Sequence, residues 1–276
     1  SLVRNGLALP DLERLLKSNN TPVHPVIAVR EGDPEIEGTI SGLWSKQARI
    51  LTDVIPLELD QVRDGSAIVQ DEGSQLVAQA FLLAEPTGPE SAWLDMCAGP
   101  GGKAALISDS VPSGVEFIAV DQHTHRVDLM SKIIGPSATL LTGDARERPW
   151  GNRFFDRVLL DAPCSGLGAL RRRPEARWRK TKKQTLELTE LQEELLFAAI
   201  DSTRVGGIIA YVTCSPYLEE TWAVVESVLR ARANVQLEDA RSLFPGVSNL
   251  GEGPCVQLWP HVHATDAMFF ALLRRV

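Results

Sequence analysis

The 276-residue sequence lacks several features that would restrict its class at once. No apolar run approaches the roughly 18 residues that a membrane-spanning helix needs, and the first residues do not resemble a secretory signal peptide. No internal repeat or low-complexity tract is present. These absences favour a soluble cytoplasmic protein without a membrane partner, most simply a monomer. Its length allows one large domain of about 200 residues and a smaller one.

Cysteine and histidine are also few, and their spacing argues against a metal site. No two of the four cysteines have the two-residue spacing of a zinc ribbon, and nothing suggests a disulfide framework. Two pairs among the five histidines are separated by one residue, with no third ligand nearby. We therefore expect no metal. The cysteines are Cys97, Cys164, Cys214 and Cys255.

Positive charge is scarce overall but is concentrated in one segment. The net charge is −8, yet residues 171–183 (RRRPEARWRKTKK) hold eight basic residues and one glutamate, which leaves −15 for the rest. Such a block is often only a solvated face. Here it also contains an indole, and arginine with an aromatic ring suits a polynucleotide. The candidate RNA-binding residues are Arg171, Arg172, Arg173, Arg177, Trp178 and Arg179.

From Ala92 onward, short apolar runs alternate with helical patterns, which is typical of a parallel sheet covered on both faces. Leucine and alanine at three- and four-residue spacing predict a helix over 184–201, and a second helix follows Pro216. The sequence therefore predicts a doubly wound α/β fold, with ligands beyond the carboxyl ends of the strands. The predicted strands are 92–96, 115–121, 138–141, 155–161, 207–213 and 268–273.

The region before Ala92 follows a different pattern. Residues 70–83 read as a helix with Asp71 as its N-cap. Earlier residues suggest a short helix near 10–18 and β-like runs at 26–30 and 48–52. We expect a small N-terminal α+β unit over 1–65 and a larger domain over 66–276.

The stretch DMCAGPGGKAAL, residues 95–106, follows the first predicted strand and predicts a ligand loop. Its glycines allow a tight turn and close approach of a ligand to the backbone. A Walker loop is excluded because Cys97 replaces its first glycine and Ala104 replaces the serine or threonine after the lysine. Gly99, Gly101 and Ala104 match the G-x-G-x-x-A pattern of dinucleotide-binding loops, but this match alone is weak evidence for such a loop.

Two aspartates narrow the choice of cofactor. Asp121 ends the second strand, where a carboxylate can accept hydrogen bonds from ribose hydroxyls of either a nicotinamide dinucleotide or S-adenosylmethionine. Asp144 follows the third strand, where a carboxylate could accept from the amine of an adenine. A turn-forming aspartate is the alternative for Asp144. The regular placement of both after strands, together with Asp95, favours a nucleoside cofactor.

Two cysteines follow neighbouring strands in similar settings, LDAPCSG (160–166) and YVTCSP (211–216). A free cysteine is most often a buried small apolar residue. However, strand ends in one parallel sheet can share a substrate. A thiolate beside a methyl donor suits pyrimidine methylation: attack on carbon 6 activates carbon 5. Asp161 could stabilise the ring at nitrogen 3, and a second cysteine could assist release.

These motifs, in this order, resemble the RNA (cytosine-5)-methyltransferases of the Fmu/Sun/NOL1/NOP2 group, and within it the bacterial methyltransferases B of 16S rRNA. The resemblance covers about residue 66 to the end, whereas residues 1–65 only weakly resemble the group's RNA-recognition-like subdomain. The matching segments are VQDEGSQLVA, LDMCAGPGGKAA, VDQHTHR, GDAR, FDRVLLDAPCSGLGALRRRPEARW and YVTCSPYLEE.

The resemblance implies a Rossmann-like class I methyltransferase with a mostly parallel seven-stranded sheet and S-adenosylmethionine as cofactor. It implies that Cys214 is the nucleophile, that Cys164 assists release, and that Asp161 serves both the base and the cofactor. The expected substrate is 16S rRNA. The remaining cofactor residues that it implies are Cys97, Ala98, Gly99, Pro100, Gly101, Gly102, Lys103, Asp121, Arg126, Asp144 and Ala145.

Three other functions remain as alternatives. The first is a tRNA cytosine-5 methyltransferase. The second is a non-catalytic RNA-binding or ribosome-assembly factor, against which the intact Cys164, Cys214, Asp161 and Lys103 argue. The third is a nicotinamide oxidoreductase, which would leave both cysteines unexplained.

Overall fold

A small antiparallel sheet forms the N-terminal part of the computed structural model, which describes residues 7–30, 32 and 35–276. Its elements are α1 (Leu9–Ser18), β1 (Val26–Val29), β2 (Thr39–Ser41), β3 (Ala48–Leu51), α2 (Asp60–Arg63) and β4 (Ala67–Val69). The strand order is β2-β3-β1-β4. Apolar side chains from this sheet and its connections, such as Ile27, Leu51 and Leu59, form a core of their own.

The helix predicted near 10–18 and the strands predicted at 26–30 and 48–52 are confirmed. β4 pairs with β1, so this sheet continues past residue 65, where the boundary of the unit was expected. Residues 1–6, 31, 33 and 34 of the expected 1–65 unit lie outside the described residues.

Helix α3 (Glu72–Leu83) connects the two sheets. Asp71 is its N-cap, as predicted, and accepts a hydrogen bond of 3.0 Å from the backbone N–H of Gly73. Ala78 of this helix packs between Ala28 of β1 and Leu106 of the large domain. The small sheet is therefore attached through a buried apolar contact as well as through the chain.

The large sheet is mainly parallel, as the sequence predicts. Its strands are β5 (Ala92–Asp95), β6 (Glu116–Asp121), β7 (Thr139–Thr142), β8 (Phe155–Asp161), β9 (Thr203–Thr213), β10 (Val235–Glu238), β11 (Val256–Gln257) and β12 (Phe269–Arg275). Seven strands follow the order β10-β12-β9-β8-β5-β6-β7, and β11 pairs with β12 as an eighth. All six predicted strands are confirmed, whereas β10 and β11 were not predicted: two of the four residues of β10 are polar, and β11 has only two residues.

Helices cover both faces of this sheet. They are α4 (Gly102–Ser108), α5 (Thr124–Ile134), α6 (Ala176–Arg179), α7 (Lys182–Ser202), α8 (Trp222–Ala231) and α9 (Pro260–His263). Successive residues of β6 enter different cores: Phe117 belongs to the core that also contains residues of α3, α4 and α5, whereas Ile118 belongs to the core that contains residues of α7 and α8. This two-sided burial explains why the strands read as continuous apolar runs.

The central strands β8 and β9 run parallel and bring two loops together. Asp161 at the end of β8 is in register with Val212 of β9. Cys164 follows Asp161 by three residues, and Cys214 follows Val212 by two. Both cysteines therefore emerge at the same edge of the sheet.

Membrane-spanning helices and clustered metal ligands are both absent from the part of the chain that the structure describes. No helix among these residues has both the length and the apolar character to cross a membrane. Within the same described ranges, no three or more His, Cys, Asp or Glu side chains gather into a potential metal site.

Candidate active site

The glycine-rich loop between β5 and α4 is held to the strands on both sides. The backbone N–H of Met96 donates to Leu159 of β8 at 2.9 Å, and that of Ala98 donates to Val120 of β6 at 2.8 Å. Gly101 has a φ of 114°, which favours glycine. A Cβ at Gly99 would lie 2.4 Å from Oδ2 of Asp121. The loop backbone therefore lies directly against the Asp121 carboxylate, and no side chain larger than glycine fits at Gly99.

Asp121 is a buried carboxylate at the end of β6. Its Oδ1 accepts a hydrogen bond of 2.8 Å from the backbone N–H of His123. Arg126, from α5, lies 3.5 Å from Oδ2. The structure thus brings Asp121, predicted from its place after a strand, and Arg126, which the resemblance implies, together with the loop.

Asp144 lies after β7 at the same edge of the sheet. It caps a short helical turn by accepting from the backbone N–H of Arg146 at 3.0 Å, and it also pairs with the Arg146 guanidinium at 2.6 Å. Hydrogen bonding from Arg146 lowers the pKa of Asp144. Arg146 also contacts Glu194 of α7 at 2.6 Å. Arg146 was missed from the sequence, and it keeps Asp144 ionised and oriented beside the buried Ala145.

Lys103 and Asp161 form an ion pair under the loop, with Nζ 2.7 Å from Oδ2. Burial alone would lower the pKa of Lys103, but the charge and hydrogen bond of Asp161 outweigh it and raise the pKa. Nearby Asp95 is fully buried, and neither of its carboxyl oxygens has a full hydrogen bond within the described residues. Burial, followed by repulsion from Asp161, raises the pKa of Asp95 to about 8.

The two cysteines predicted to act together are in contact. The Sγ atoms of Cys164 and Cys214 lie 3.3 Å apart, in hydrogen-bonding contact. This hydrogen bond lowers the pKa of Cys214, and the charge of Lys103 acts in the same direction. The same bond, together with burial, raises the pKa of Cys164 well above 9. Cys214 is therefore the thiol that ionises first, and Cys164 keeps its proton.

The other two cysteines lack this environment. Burial, followed by the charge of Asp95, raises the pKa of Cys97 well above 9. Burial raises the pKa of Cys255 to about 12, with a further contribution from Asp239. Neither thiol is prepared for nucleophilic attack at neutral pH.

Glu220 joins the two cysteine turns and was missed from the sequence. Its buried carboxylate accepts hydrogen bonds from the backbone N–H and the hydroxyl of Ser165, at 2.6 and 2.5 Å. It also accepts from the hydroxyl of Ser215 at 2.6 Å. Each serine directly follows a reactive cysteine. The repeated Cys-Ser pair, followed by the acidic LEE segment, was the only signal for this arrangement in the sequence.

A second buried side chain supports the same arrangement. Gln192 of α7 donates to the carbonyl of Pro163 at 2.8 Å and lies 3.4 Å from Glu220. The Tyr211 hydroxyl donates to the backbone carbonyl of Glu220 at 2.9 Å. The position of both thiols is therefore determined by a connected polar network.

The basic segment divides into two parts. The Arg171 side chain is only 5% exposed and pairs with Asp71 at 2.9 Å and with Asp266 at 3.4 Å. Arg172 also pairs with Asp266. The prediction that Arg171 contacts RNA needs correction, because two buried aspartates require its charge inside the protein.

The rest of the segment faces outward. Trp178 is 84% exposed, and Arg173 and Arg179 are also exposed. Arg177 is exposed and donates to the Asn20 side chain at 2.8 Å. These four residues remain the candidate RNA surface, together with the neighbouring lysines and with Arg172, whose side chain is 30% exposed.

The fold and the loop place the chain in a class of enzymes. A mostly parallel sheet of this order, with a glycine-rich loop after β5 and carboxylates after β6 and β7, defines a Rossmann-like class I methyltransferase. The fold matches that of the solved structure of NSun6 from Pyrococcus horikoshii with a TM-score of 0.80, over 97% of this chain and 94% of that chain, at 21% identity.

The chain belongs to the RsmB/F family of 16S rRNA methyltransferases, whose family model matches residues 81–274. It is 48% identical to Rv1407 of Mycobacterium tuberculosis, named as a methyltransferase, over 98% of this chain. It is 36% identical to ribosomal RNA small subunit methyltransferase B of Escherichia coli K12, over 76% of this chain. The family confirms the prediction of S-adenosylmethionine as cofactor.

The chain spans only part of these relatives. The matched regions make up 61% of Rv1407 and 47% of the E. coli protein. The family match therefore concerns the methyltransferase part of these relatives. The substrate of this chain and the atom that it methylates are proposed below the level of the family.

Proposed function

We propose that this protein transfers a methyl group to carbon 5 of a cytosine in 16S rRNA, through a covalent bond between Cys214 and the base. The observation that carries the proposal is the 3.3 Å contact between the Sγ atoms of Cys164 and Cys214. A nicotinamide oxidoreductase has no use for this pair, whereas cytosine methylation needs one thiol for attack and can use another for release.

The residues around the loop fit S-adenosylmethionine. Asp121, with the loop backbone at Gly99 against it, suits the ribose hydroxyls. Asp144, held ionised by Arg146, suits the adenine amine. When bound, S-adenosylmethionine supplies an electrophilic methyl group. The backbone from Cys97 to Gly102 and the side chain of Arg126 complete its surroundings.

The chain's own residues then divide the reaction between them. The Cys214 thiolate, stabilised by the nearby charge of Lys103, adds to carbon 6 of the cytosine and makes carbon 5 nucleophilic. Asp161, oriented by Lys103, accepts a hydrogen bond from ring nitrogen 3 once that nitrogen is protonated, so that the electron pair displaced by the attack of Cys214 neutralises the ring cation.

Release follows once carbon 5 carries the methyl group. The proton on carbon 5 is removed, and the electron pair of that C–H bond re-forms the ring double bond. As the bond between carbon 6 and Sγ of Cys214 breaks, Cys164 donates the proton that it holds in the resting enzyme to that sulfur. The resulting Cys164 thiolate accepts the proton from carbon 5, which restores its own thiol and leaves Cys214 free to ionise again.

The substrate assignment rests on the family and on the exposed basic residues that follow Cys164 in the chain. Trp178 and its arginine neighbours suit an unpaired RNA strand, in which the target base can be turned out of its stack. We also propose that the protein acts in the cytoplasm, where ribosomal subunits are assembled.

The direct test is transfer of tritium from labelled S-adenosylmethionine to deproteinised 16S rRNA, followed by bisulfite sequencing. The expected result is one protected cytosine that appears only with active enzyme. Purified tRNA tested in parallel distinguishes the alternative substrate. Label in neither RNA, or label at a position other than carbon 5 of cytosine, would contradict the proposal.

A further inference from the structure

A cavity of about 300 Å³ lies beside the two cysteine turns and has no role in the mechanism above. We call it the flank pocket. Among the residues that line it are Leu167, Lys180, Lys182, Leu186, Tyr217 and Glu219.

Two walls of the flank pocket are tied directly to the catalytic turns. The backbone N–H of Leu167 donates to the hydroxyl of Ser165 at 3.4 Å, and that of Tyr217 donates to the hydroxyl of Ser215 at 3.2 Å. Leu167 and Tyr217 each lie three residues beyond a reactive cysteine, a separation of at most about 11 Å along the chain. A nucleotide adjoining the target base can reach across this distance.

The chemistry of the flank pocket suits a nucleotide. Leu167, Leu186 and the ring of Tyr217 offer apolar and aromatic surface, and Leu186 is 51% exposed. Burial raises the pKa of Tyr217, so its phenol is neutral at physiological pH. Bases stack on such surfaces whatever their sequence.

The charges at the flank pocket also select for a nucleotide over a simple anion. Lys180 and Lys182 are exposed and line the same cavity. Glu219 lines the same space and disfavours a free phosphate ion deep in the cavity. A nucleotide can place its phosphodiester at the lysines and its uncharged base against the leucines. It then uses the positive charge of the lysines and keeps its own negative charge away from Glu219.

We propose that the flank pocket binds the nucleotide next to the target cytosine, with its base between Leu186 and Tyr217 and its phosphate at Lys180 and Lys182. This inference rests on the proposed function and adds a specificity site to it. Because the walls are anchored to Ser165 and Ser215, occupation of the pocket aligns the cytosine with both thiols.

The test uses a short RNA that contains the mapped cytosine, and compares wild-type protein with Lys180→Gln/Lys182→Gln and Leu186→Ala. We expect KM for RNA to rise about tenfold in each variant, the effect of one stacked base or one phosphate contact, with kcat within about twofold. In the lysine variant the dependence of log KM on log salt should flatten by about 0.7 for each phosphate that the protein no longer neutralises. Lys132→Gln, an exposed lysine on α5, is the matched control.

A second arm replaces the nucleotide on each side of the cytosine with an abasic one. With wild-type protein, one of the two replacements should raise KM about tenfold, and Leu186→Ala should remove most of that difference. An unchanged KM in both variants, or an equal abasic effect in wild type and Leu186→Ala, would overturn the flank-pocket proposal alone. Absence of methyl transfer by the wild-type protein would instead overturn the proposed function, and the flank-pocket proposal with it.

Discussion

The Sγ atoms of Cys164 and Cys214 lie 3.3 Å apart although 50 residues separate them in the chain. Parallel pairing of β8 with β9 brings their turns to one edge, and Glu220 holds the two turns together. The two thiols are unequal: their hydrogen bond and the charge of Lys103 lower the pKa of Cys214, whereas the hydrogen bond, burial and the charge of Glu220 raise the pKa of Cys164. The proposed reaction depends on this inequality and on the residues that maintain it.

Replacement of either cysteine should have a different consequence. Cys214→Ala should abolish methylation, because no nucleophile remains for carbon 6. Cys164→Ala should still form the bond to RNA but release it slowly, and should give an RNA–protein adduct that resists SDS on a denaturing gel. Cys255→Ala, at a cysteine that the proposed reaction does not use, should behave as wild type. Normal turnover by Cys214→Ala would show that another residue attacks.

The ionisation of Cys214 should control the pH dependence of the first step. Its pKa is lowered from 9, so alkylation by iodoacetamide and kcat/KM should both rise with pH, with midpoints below pH 9. Lys103→Gln removes a charge that lowers this pKa and should move both curves to higher pH. Cys255, with a pKa of about 12, should be alkylated far more slowly and provides an internal comparison in peptide mass mapping. If Lys103→Gln leaves both pH profiles unchanged, the charge of Lys103 does not lower the pKa of Cys214.

Glu220→Gln should weaken the hydrogen bonds that connect the turn after Cys164 with the turn after Cys214. The amide keeps the volume but places a donor where the carboxylate accepts from Ser165 and Ser215. We expect a loss of about 2 to 3 kcal/mol in the free energy of unfolding and a fall in kcat of at least about tenfold. Urea denaturation and steady-state methylation measure the two effects. Glu226→Gln, on the exposed side of α8, should change neither.

Substitutions at Arg171 and Arg173 should have different effects, although only two positions separate these residues: the first should lower stability and the second should weaken RNA binding. Arg171→Met leaves the buried Asp71 and Asp266 with less compensating charge, and should cost about 3 kcal/mol of stability. Arg173→Gln should leave stability unchanged but weaken RNA binding and lower its salt dependence by about 0.7. Urea denaturation and RNA titration at several salt concentrations check both. A destabilised Arg173→Gln with normal RNA affinity would exclude it from the RNA surface.

The buried carboxyl of Asp95 should make stability depend on pH. Its pKa rises from 3.8 in the unfolded chain to about 8 in the folded protein, so the folded state binds the proton more tightly. The resulting stabilisation is complete below about pH 4 and is lost as the pH rises through 8. Relative to wild type, Asp95→Asn should therefore gain stability between about pH 6 and 8.5, by about 1.4 kcal/mol or more. Urea denaturation at several pH values measures the free energy of unfolding of both proteins. If this free energy depends on pH equally in the two, Asp95 is ionised in the folded protein.

Local patterns in the sequence determine the sheet, the glycine-rich loop and the carboxylates after each strand. Their physical causes act over a few residues: apolar runs that are buried on both faces, an N-cap at Asp71, and a backbone conformation at Gly101 that favours glycine. The proximity of Cys164 and Cys214 could also be predicted from the sequence, because neighbouring parallel strands end at one edge of the sheet. The resemblance of the motifs to a family, rather than the spacing, assigned their separate roles.

Only the tertiary structure decided which polar groups meet. Arg171 and Trp178 belong to one basic run, yet one is buried and the other is 84% exposed, because Asp71 and Asp266 approach Arg171 from nearly 100 residues away. Glu220 similarly acquires its function from Ser165, 55 positions earlier. Burial and partner choice depend on distant segments, and a charge or hydroxyl carries no local pattern that identifies its partner.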